Sequence, residues 1–263
     1  ETSSGYEEFM DLDLGSDNRI WAGTRFNVYN EGGGTIFYSD DGTTWTSANW
    51  KGEIVTTSAN RVLLSVAPSD PNTVYALIEQ DSTGKVGWIV KTTDGGSSWT
   101  QLTLPLDANG GVLGDTRDFG QAGYDLSLRV DPNDPNVVFA GEIDVFKTID
   151  GGSSWTQISG GDASTADMHV DQHNIKFIDS NRIIFSNDGG VHYSSNGGLQ
   201  IDDRNSGYNV GQFYAIALHP SSKYVLGGTQ DNGSWSVAGS GTSPLDGTYI
   251  SGGDGAFAHI DQS

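Results

Sequence analysis

The chain has 263 residues, 37 of them glycine, and 13 Lys and Arg oppose 34 Asp and Glu, which gives a formal net charge of −21. That charge argues against nucleic acids and anionic membrane surfaces as partners, because both bind basic faces. Cysteine is absent, which excludes disulfides and thiolate metal sites, and no apolar run approaches the ~20 residues of a membrane span.

A short acidic sequence recurs along the chain. It reads YSDDGTTWT from Tyr38, KTTDGGSSWTQ from Lys91 and KTIDGGSSWTQ from Lys147. The anchor aspartates predicted from these copies, Asp40, Asp94 and Asp150, are 54 and 56 residues apart. Such a period is typical of a repeat architecture rather than of a catalytic motif.

The third repeat unit predicts four short strands. Alternating or apolar runs at 124–130, 137–142, 144–149 and 154–159 are separated by DPNDPN and DGG, which are turn sequences. Four-stranded antiparallel units at this period are the blades of a β-propeller, so the predicted fold class is all-β.

The repeated turn has a structural explanation. Its glycines accept positive φ, its aspartate accepts hydrogen bonds from turn N–H groups, and its tryptophan packs between sheets. The predicted structural residues are Asp40, Gly42 and Trp45, then Asp94, Gly96 and Trp99, then Asp150, Gly152 and Trp155. We expect no catalysis at these turns.

The second and third copies match the pattern [Ser/Thr]-x-Asp-x-Gly-x-[Ser/Thr]-Trp. This pattern resembles the Asp-box, or BNR repeat, of sialidases, sortilin-type receptors and xyloglucan-cleaving glycosidases. A degenerate fourth copy, YSSNGGLQ, has Asn196 in place of the aspartate. The resemblance implies a propeller of the sortilin and sialidase-like superfamily, and it leaves the chemistry open.

A second resemblance covers the later half of the chain. The sequences GQAGYDLSLRVDPNDPNVVFAGEIDVFKTIDGG, DMHVDQHNIKFIDSNRIIFSNDGGVHYSS and QFYAIALHPSSKYVLGGTQDNGSW occur in that order. Together they resemble large secreted or surface-attached propellers of bacteria that use type IX secretion. The resemblance implies a secreted protein or one on the outer cell surface.

Blade boundaries follow from the repeats. We predict blades at about 7–60, 61–106, 123–160, 167–205 and 211–252, an insertion loop at 107–122, and the first strand of a further blade at 253–263. The chain is therefore predicted to form part of a larger propeller. The rest of that propeller would belong to the same polypeptide or to another chain, and open strand edges would need protection.

One predicted first strand is unusually polar. In DMHVDQHNIKF (167–177), alternation places Asp167, His169, Asp171 and His173 on one face. Histidine with carboxylate suits a transition metal, although a single strand supplies too few ligands. The pattern favours hydrogen-bonded polar residues that face a wet channel, and no metal is assigned.

Three further aspartates lie in corners of successive units. Asp188 and Asp231 follow predicted second strands, and Asp254 precedes the next first strand. Carboxylates gathered at one rim would suit glycoside hydrolysis, which needs a pair. Asp-Gly is also a common hairpin turn, which is the alternative explanation. The ligand-binding candidates are His169, Asp171, His173, Asp188, Asp231 and Asp254.

The insertion DANGGVLGDTRDFGQ carries Asp107, Asp115 and Asp118. Its spacing does not fit an EF-hand loop. Calcium held by carboxylates and carbonyls is one interpretation, and a solvated loop is the favoured one. No other cofactor is predicted.

These observations predict a secreted or cell-surface recognition module that binds a protein or a glycan without catalysis. The alternative is a glycoside hydrolase that acts on a polysaccharide, with Asp188 and Asp231 as the acid and base.

Overall fold

The structure is all-β, as predicted. The computed structural model describes residues 8–27, 29–52, 58–160, 168–207, 211–220, 224–237 and 247–261. These residues form five four-stranded antiparallel sheets and no helix, so they contain no helix that could cross a membrane. Each sheet uses four strands that are consecutive in sequence, which is the construction of a propeller blade.

The strands are numbered in chain order. Blade 1 contains β1 (Glu8–Leu14), β2 (Ile20–Arg25), β3 (Ile36–Ser39) and β4 (Thr46–Ala48), and blade 2 contains β5 (Ala59–Ala67), β6 (Asp70–Gln80), β7 (Lys85–Thr92) and β8 (Thr100–Gln101). Blade 3 contains β9 (Ser127–Val130), β10 (Val138–Gly141), β11 (Val145–Thr148) and β12 (Thr156–Gln157), and blade 4 contains β13 (Gln172–Phe177), β14 (Ile183–Asn187), β15 (Gly190–Ser194) and β16 (Asp202–Asp203). Blade 5 contains β17 (Phe213–Leu218), β18 (Val225–Thr229), β19 (Ser234–Val237) and β20 (Gly247–Ser251).

The chain divides into two compact units, residues 1–204 with blades 1 to 4 and residues 205–263 with blade 5. All four strands predicted for the third repeat unit form, and each is shorter than predicted. The strand predicted at 124–130 begins only at Ser127, because Tyr124 and Asp125 donate their backbone N–H groups to Gln121 O in a turn.

In the first unit, the core consists of three apolar clusters, each lying between neighbouring blades. Trp21 and Ile36 of blade 1 pack with Val62 and Leu64 of blade 2, and similar clusters join blades 2 and 3 and blades 3 and 4. Strand alternation explains this arrangement, because each strand directs alternate side chains to the preceding and the following blade. Burial of these side chains supplies the main stabilising contribution.

The acidic turns have the predicted geometry. Asp94 Oδ1 accepts hydrogen bonds from Thr92 Oγ1 at 2.7 Å and from the Ser98 N–H at 2.9 Å, and Asp94 Oδ2 accepts one from Ser98 Oγ at 2.6 Å. Asp150 makes the same three bonds within blade 3. The degenerate fourth copy keeps part of the arrangement, since Asn196 Oδ1 accepts from Ser194 Oγ and from the Gln200 N–H.

The prediction of Asp40 as the aspartate of the first turn was wrong. In this copy, Asp41 accepts the hydrogen bonds of the turn N–H groups. Asp41 Oδ1 accepts from the N–H groups of Thr43 and Thr44, at 2.8 and 2.6 Å. Asp40 instead pairs with Arg19, with Nε 2.7 Å from Oδ1. The turn contains one residue fewer than the others, so the aspartate one position later meets the turn N–H groups.

In blades 2, 3 and 4, the second glycine of the turn touches the preceding blade. Gly96 and Gly152 have φ of 89° and 91°, which other residues rarely adopt. A Cβ atom on Gly96 would lie 2.7 Å from Trp21 Cη2, and one on Gly152 would lie 2.4 Å from Leu102 Cδ1. Gly198 of blade 4 approaches Phe139 of blade 3 in the same way. Only glycine allows this close approach between blades.

The predicted first strand at 253–263 is wrong over the part of it that the structure describes, 253–261. These residues form no strand. A strand requires a ladder of hydrogen bonds to a neighbour, and here the Gly255 N–H donates to Thr229 O as a separate contact at 2.8 Å.

A comparison of Gly152→Ala with Gly110→Ala separates two effects on stability: the loss of the contact between blades and the strain of a positive φ. Gly110 has φ of 84° and no atom within 4 Å of an added Cβ. We expect Gly110→Ala to lower the free energy of unfolding by about 1 kcal/mol through backbone strain alone. Gly152→Ala should cost a further ~1–3 kcal/mol, because its Cβ overlaps Leu102.

Urea denaturation of the two variants and the parent chain measures this difference. Equal losses in the two variants would contradict a role for Gly152 in docking blade 3 onto blade 2.

Candidate functional site

Polar residues of blades 3 and 4 meet where innermost strands begin and second strands end. In an antiparallel pair these two ends lie at the same edge of a sheet. Asp125 precedes β9, Glu142 follows β10, His173 lies at the start of β13, and Asp188 follows β14. We call the edge where they meet the 3/4 rim, and the insertion at 107–122 supplies its remaining residues.

His173 lies at the centre of the 3/4 rim. Its Nε2 is 2.6 Å from Asp188 Oδ1, and its Nδ1 is 3.5 Å from Asp125 Oδ1. The side chain of His173 is 35% exposed, whereas that of Asp125 is 1% exposed. The ring of Tyr124, an exposed residue, meets the His173 ring edge to face, with centroids 5.4 Å apart. A ligand at this rim would therefore meet Tyr124, His173 and Asp188 before it could reach Asp125.

Residues of the insertion loop form hydrogen bonds with the buried carboxyl groups of the 3/4 rim. Gln121 Nε2 donates hydrogen bonds to both Asp125 Oδ2 and Asp171 Oδ1, which joins blade 3 to blade 4. Arg117 donates to Gln121 Oε1 and pairs with Asp115, with both of its bonds to that carboxylate at 2.9 Å. Asp115 is almost completely buried, so the prediction of a solvated loop is wrong for this residue.

Burial raises the pKa values of several carboxyl groups at the rim. Burial, followed by the charge of Asp171, raises the pKa of Asp125 to about 7, and His173 partly opposes this shift. Burial, followed by the nearby Asp115 carboxylate, raises the pKa of Glu142 to about 9. Burial, followed by the charge of Asp107, raises the pKa of Asp144 to about 6. Desolvation disfavours the charged form in each case.

Glu142 is protonated at neutral pH on this basis. Its side chain is fully buried, and neither carboxyl oxygen has a well-formed hydrogen bond to an N–H or O–H donor among the described residues. The Asp115 carboxylate lies next to it and interacts with it by hydrogen bonding. A protonated Glu142 donates to that carboxylate, which explains why two buried acids tolerate this proximity.

The predicted polar strand at 167–177 is only partly correct. The strand begins at Gln172, and its ladder is irregular between Gln172 and Asn174. Asp171 precedes the strand with φ of 67°, so regular alternation does not hold there. Asp171 and His173 nevertheless both reach the 3/4 rim. Asp167 lies outside the described residues.

His169 has a different environment from His173. Its Nδ1 lies 3.0 Å from Val170 O, and its backbone carbonyl accepts hydrogen bonds from Gln172 Nε2 and Asn187 Nδ2. His169 also lies against Gly189, in the corner that carries Asp188. It supports this corner and is not one of the groups that contact His173.

Asp231 and Asp254 meet each other in the second unit. The Asp231 N–H donates to Asp254 Oδ1 at 3.1 Å, and Asp231 has φ of 57°. The Asp254 carboxylate thus stabilises the turn at Asp231, as in an ordinary corner. The alternative catalytic pair, Asp188 and Asp231, is divided between the two units.

A metal centre receives no support from the described residues. They contain no group of three or more His, Asp or Glu side chains placed to hold a metal ion. The carboxyl groups at the 3/4 rim pair with Gln121, Arg117 and His173 instead. The arrangement can bind hydrogen-bonding groups of a ligand at its exposed side.

Sequence analysis identified Asp171, His173 and Asp188 but missed Asp125, Gln121, Arg117 and Glu142. Asp125 and Glu142 lay within predicted strands, and Gln121 and Arg117 lay in the insertion, which has no periodic pattern. The one available signal was the combination of Arg117 and Gln121 in an insertion that lengthens a single blade connection.

Comparisons with known proteins agree with the fold. No family model matches the chain. The xyloglucanase Xgh74A of Acetivibrio thermocellus is 28% identical over 101 residues, which represent 36% of this chain and 11% of that protein. The GH74 enzyme of Niastella koreensis is 18% identical with a TM-score of 0.53, over 94% of this chain and 45% of that one. The GH74 xyloglucanase from Xanthomonas campestris is 16% identical with a TM-score of 0.52, over 89% and 37% of the two chains.

These likenesses show the β-propeller fold. The chain spans less than half the length of each of these proteins. The resemblances to sortilin-type receptors and to type IX secreted propellers stay predictions.

Stability should fall as pH rises above about 5 because of the buried acids. A carboxyl group whose pKa is raised in the folded state favours folding below its ordinary pKa, and this contribution is lost as pH rises to the folded value. For Glu142 the window runs from 4.5 to about 9, and for Asp125 it runs from 3.8 to about 7. Each group contributes a slope of up to about 1.4 kcal/mol per pH unit within its window.

Denaturation midpoints measured from pH 5 to about 9 test this expectation. Glu142→Gln should flatten the curve, especially above about pH 7, where Asp125 no longer titrates. Asp150→Asn is the matched control, because hydrogen bonds lower the pKa of Asp150 and keep it ionised throughout the range. The control should lower stability by the same amount at every pH. A Glu142→Gln curve parallel to that of the parent would contradict the expectation.

Proposed function

We propose that this chain is a recognition module of a secreted or cell-surface β-propeller, and that it binds a glycan at the 3/4 rim without cleaving it. The observation that carries the proposal is the placement of His173 between Asp125 and Asp188, beside the exposed ring of Tyr124. A flat ring with a polar tip can pack on a sugar, and the imidazole and carboxylate can bind hydroxyl groups.

The same geometry favours binding over hydrolysis. Glycoside hydrolysis needs two carboxyl groups that both reach the scissile bond. Asp125 is buried behind His173, and Asp188 is engaged with His173 at 2.6 Å. A protein ligand is the alternative recognition target, since propeller rims present similar polar surfaces to either.

Hydrolysis is the second candidate function, and two observations favour it. The pKa of Asp125, about 7, lies in the range of a general acid. A relative that is 28% identical over 101 residues is a xyloglucanase. For this role, the Asp125 carboxyl would have to become accessible to the substrate.

Tyr124→Ala and Asp188→Asn test glycan binding. With xyloglucan oligosaccharides as the first probe in a panel of plant and bacterial glycans, calorimetry should show that each variant loses about tenfold or more in affinity, equivalent to about 1.4 kcal/mol. Tyr29→Ala is the matched control, because Tyr29 is also an exposed tyrosine but lies in blade 1. It should bind as the parent does.

Release of reducing sugar from the same panel separates the two candidates. Binding without release supports the recognition module. Release that disappears in both Asp125→Asn and Asp188→Asn would replace it with the hydrolase. Absence of binding and release across the panel would contradict both glycan proposals and leave a protein as the ligand class to examine.

A further inference from the structure

One apolar surface of the first unit is left open. Phe9, Leu12 and Leu14 of β1 are all exposed, and we call them the open face of blade 1. Leu12 and Leu14 are 63% and 62% exposed. Alternation in β1 directs them away from blade 2, because Asp11 and Asp13 lie on the side that contacts blade 2.

The register of the innermost strands identifies the equivalent residues in blade 2. Asp13 Oδ2 accepts a hydrogen bond from the Val66 N–H at 2.8 Å, and Ser65 Oγ accepts one from the Val130 N–H at 3.1 Å. Asp13 of blade 1 and Ser65 of blade 2 therefore hold the same position, each bonding to the next blade. Leu12 then corresponds to Leu64, and Leu14 corresponds to Val66.

In blades 2 and 3 of the first unit, the equivalent residues are buried against the blade before them. Leu64 and Val66 are 2% and 4% exposed, packed against the Trp21 and Ile36 side chains of blade 1. Leu128 and Val130 of blade 3 are likewise buried in the cluster with blade 2. Blade 1 thus carries the same apolar residues at the same positions as blades that have a preceding neighbour.

We propose that the open face of blade 1 seats a further propeller blade of the same polypeptide. The side chains that this further blade presents to blade 1 are of the same types as those that blade 1 presents to blade 2. The further blade presents large apolar side chains from its outer strands and a carboxylate or hydroxyl oxygen from its innermost strand, aimed at the backbone of β1. Burial of two leucines and a phenylalanine supplies the driving force.

A covalently linked blade fits this surface better than a second copy of the chain. The formal charge of −21 opposes the approach of two copies, whereas a blade in the same polypeptide arrives at high effective concentration. The solved propeller from Niastella koreensis, which superposes on 94% of this chain, is itself about twice as long, since this chain covers 45% of it.

Because the chain contains no cysteine, a single introduced cysteine is the only thiol in the 263 residues that a maleimide can label. Leu12→Cys is introduced both into the 263-residue chain and into the full-length polypeptide of the source gene, and labelling by a maleimide is followed over time. Leu14→Cys is a second reporter on the same face. Ser97→Cys in an exposed turn and Leu64→Cys in the buried equivalent position are the matched controls.

We expect Leu12→Cys to label as fast as Ser97→Cys in the 263-residue chain, and more than about tenfold more slowly in the full-length polypeptide, because a covered thiol reacts only after local opening. Leu64→Cys should be protected in both. Fast labelling of Leu12→Cys and Leu14→Cys in the full-length polypeptide would overturn the proposal. So would protection in the 263-residue chain that rises with its concentration, which indicates a second copy, or a source polypeptide with no further blade.

Discussion

The close contact between the second glycine of the repeated turn in blades 2, 3 and 4 and the preceding blade is the constraint on which the arrangement of blades 1 to 4 depends. The turn carboxylate satisfies the local N–H and hydroxyl donors, so the turn is rigid without help from outside. The adjoining glycine then lies directly against Trp21, Leu102 or Phe139 of the blade before it. A cation of the preceding blade completes the contact, since Arg19 donates to Gly95 O and Lys147 donates to Gly197 O. One short sequence therefore closes its own hairpin and positions its neighbour.

This double role explains why the fold could be predicted from the sequence. A turn needs a particular backbone conformation at Gly96 and Gly152, and a contact between blades needs the absence of a side chain at the same positions. Both requirements apply to the turns of blades 2 and 3, whereas the shorter turn of blade 1 has a single glycine, Gly42, which lies near Ile20 of its own blade. The prediction was wrong at Asp40 because the first turn is one residue shorter, and two adjacent aspartates gave no sequence signal for which one meets the turn N–H groups.

The site was less predictable, because its residues come from segments that are distant in sequence and do not repeat. Asp188 and His173 stood out as polar residues in otherwise regular units. Their partner Asp125 is presented by the turn that shortens β9, and a periodic pattern cannot reveal such a turn. Gln121 joins Asp125 to Asp171 across two blades, a contact that depends on how the insertion folds back over blade 3.

The buried acids also change what the charge of the chain implies about ligands. The formal value of −21 counts every carboxyl group as ionised. With pKa values of about 9 and about 7, Glu142 is protonated and Asp125 is divided between both forms near neutral pH. Arg117 further compensates Asp115. The 3/4 rim is therefore less negative than its composition suggests, and it presents a mixture of hydrogen-bond donors and acceptors beside Tyr124. A surface of that kind is better matched to the hydroxyl groups of a neutral sugar than to a cation, which would require the carboxyl groups to be ionised and free of their present partners.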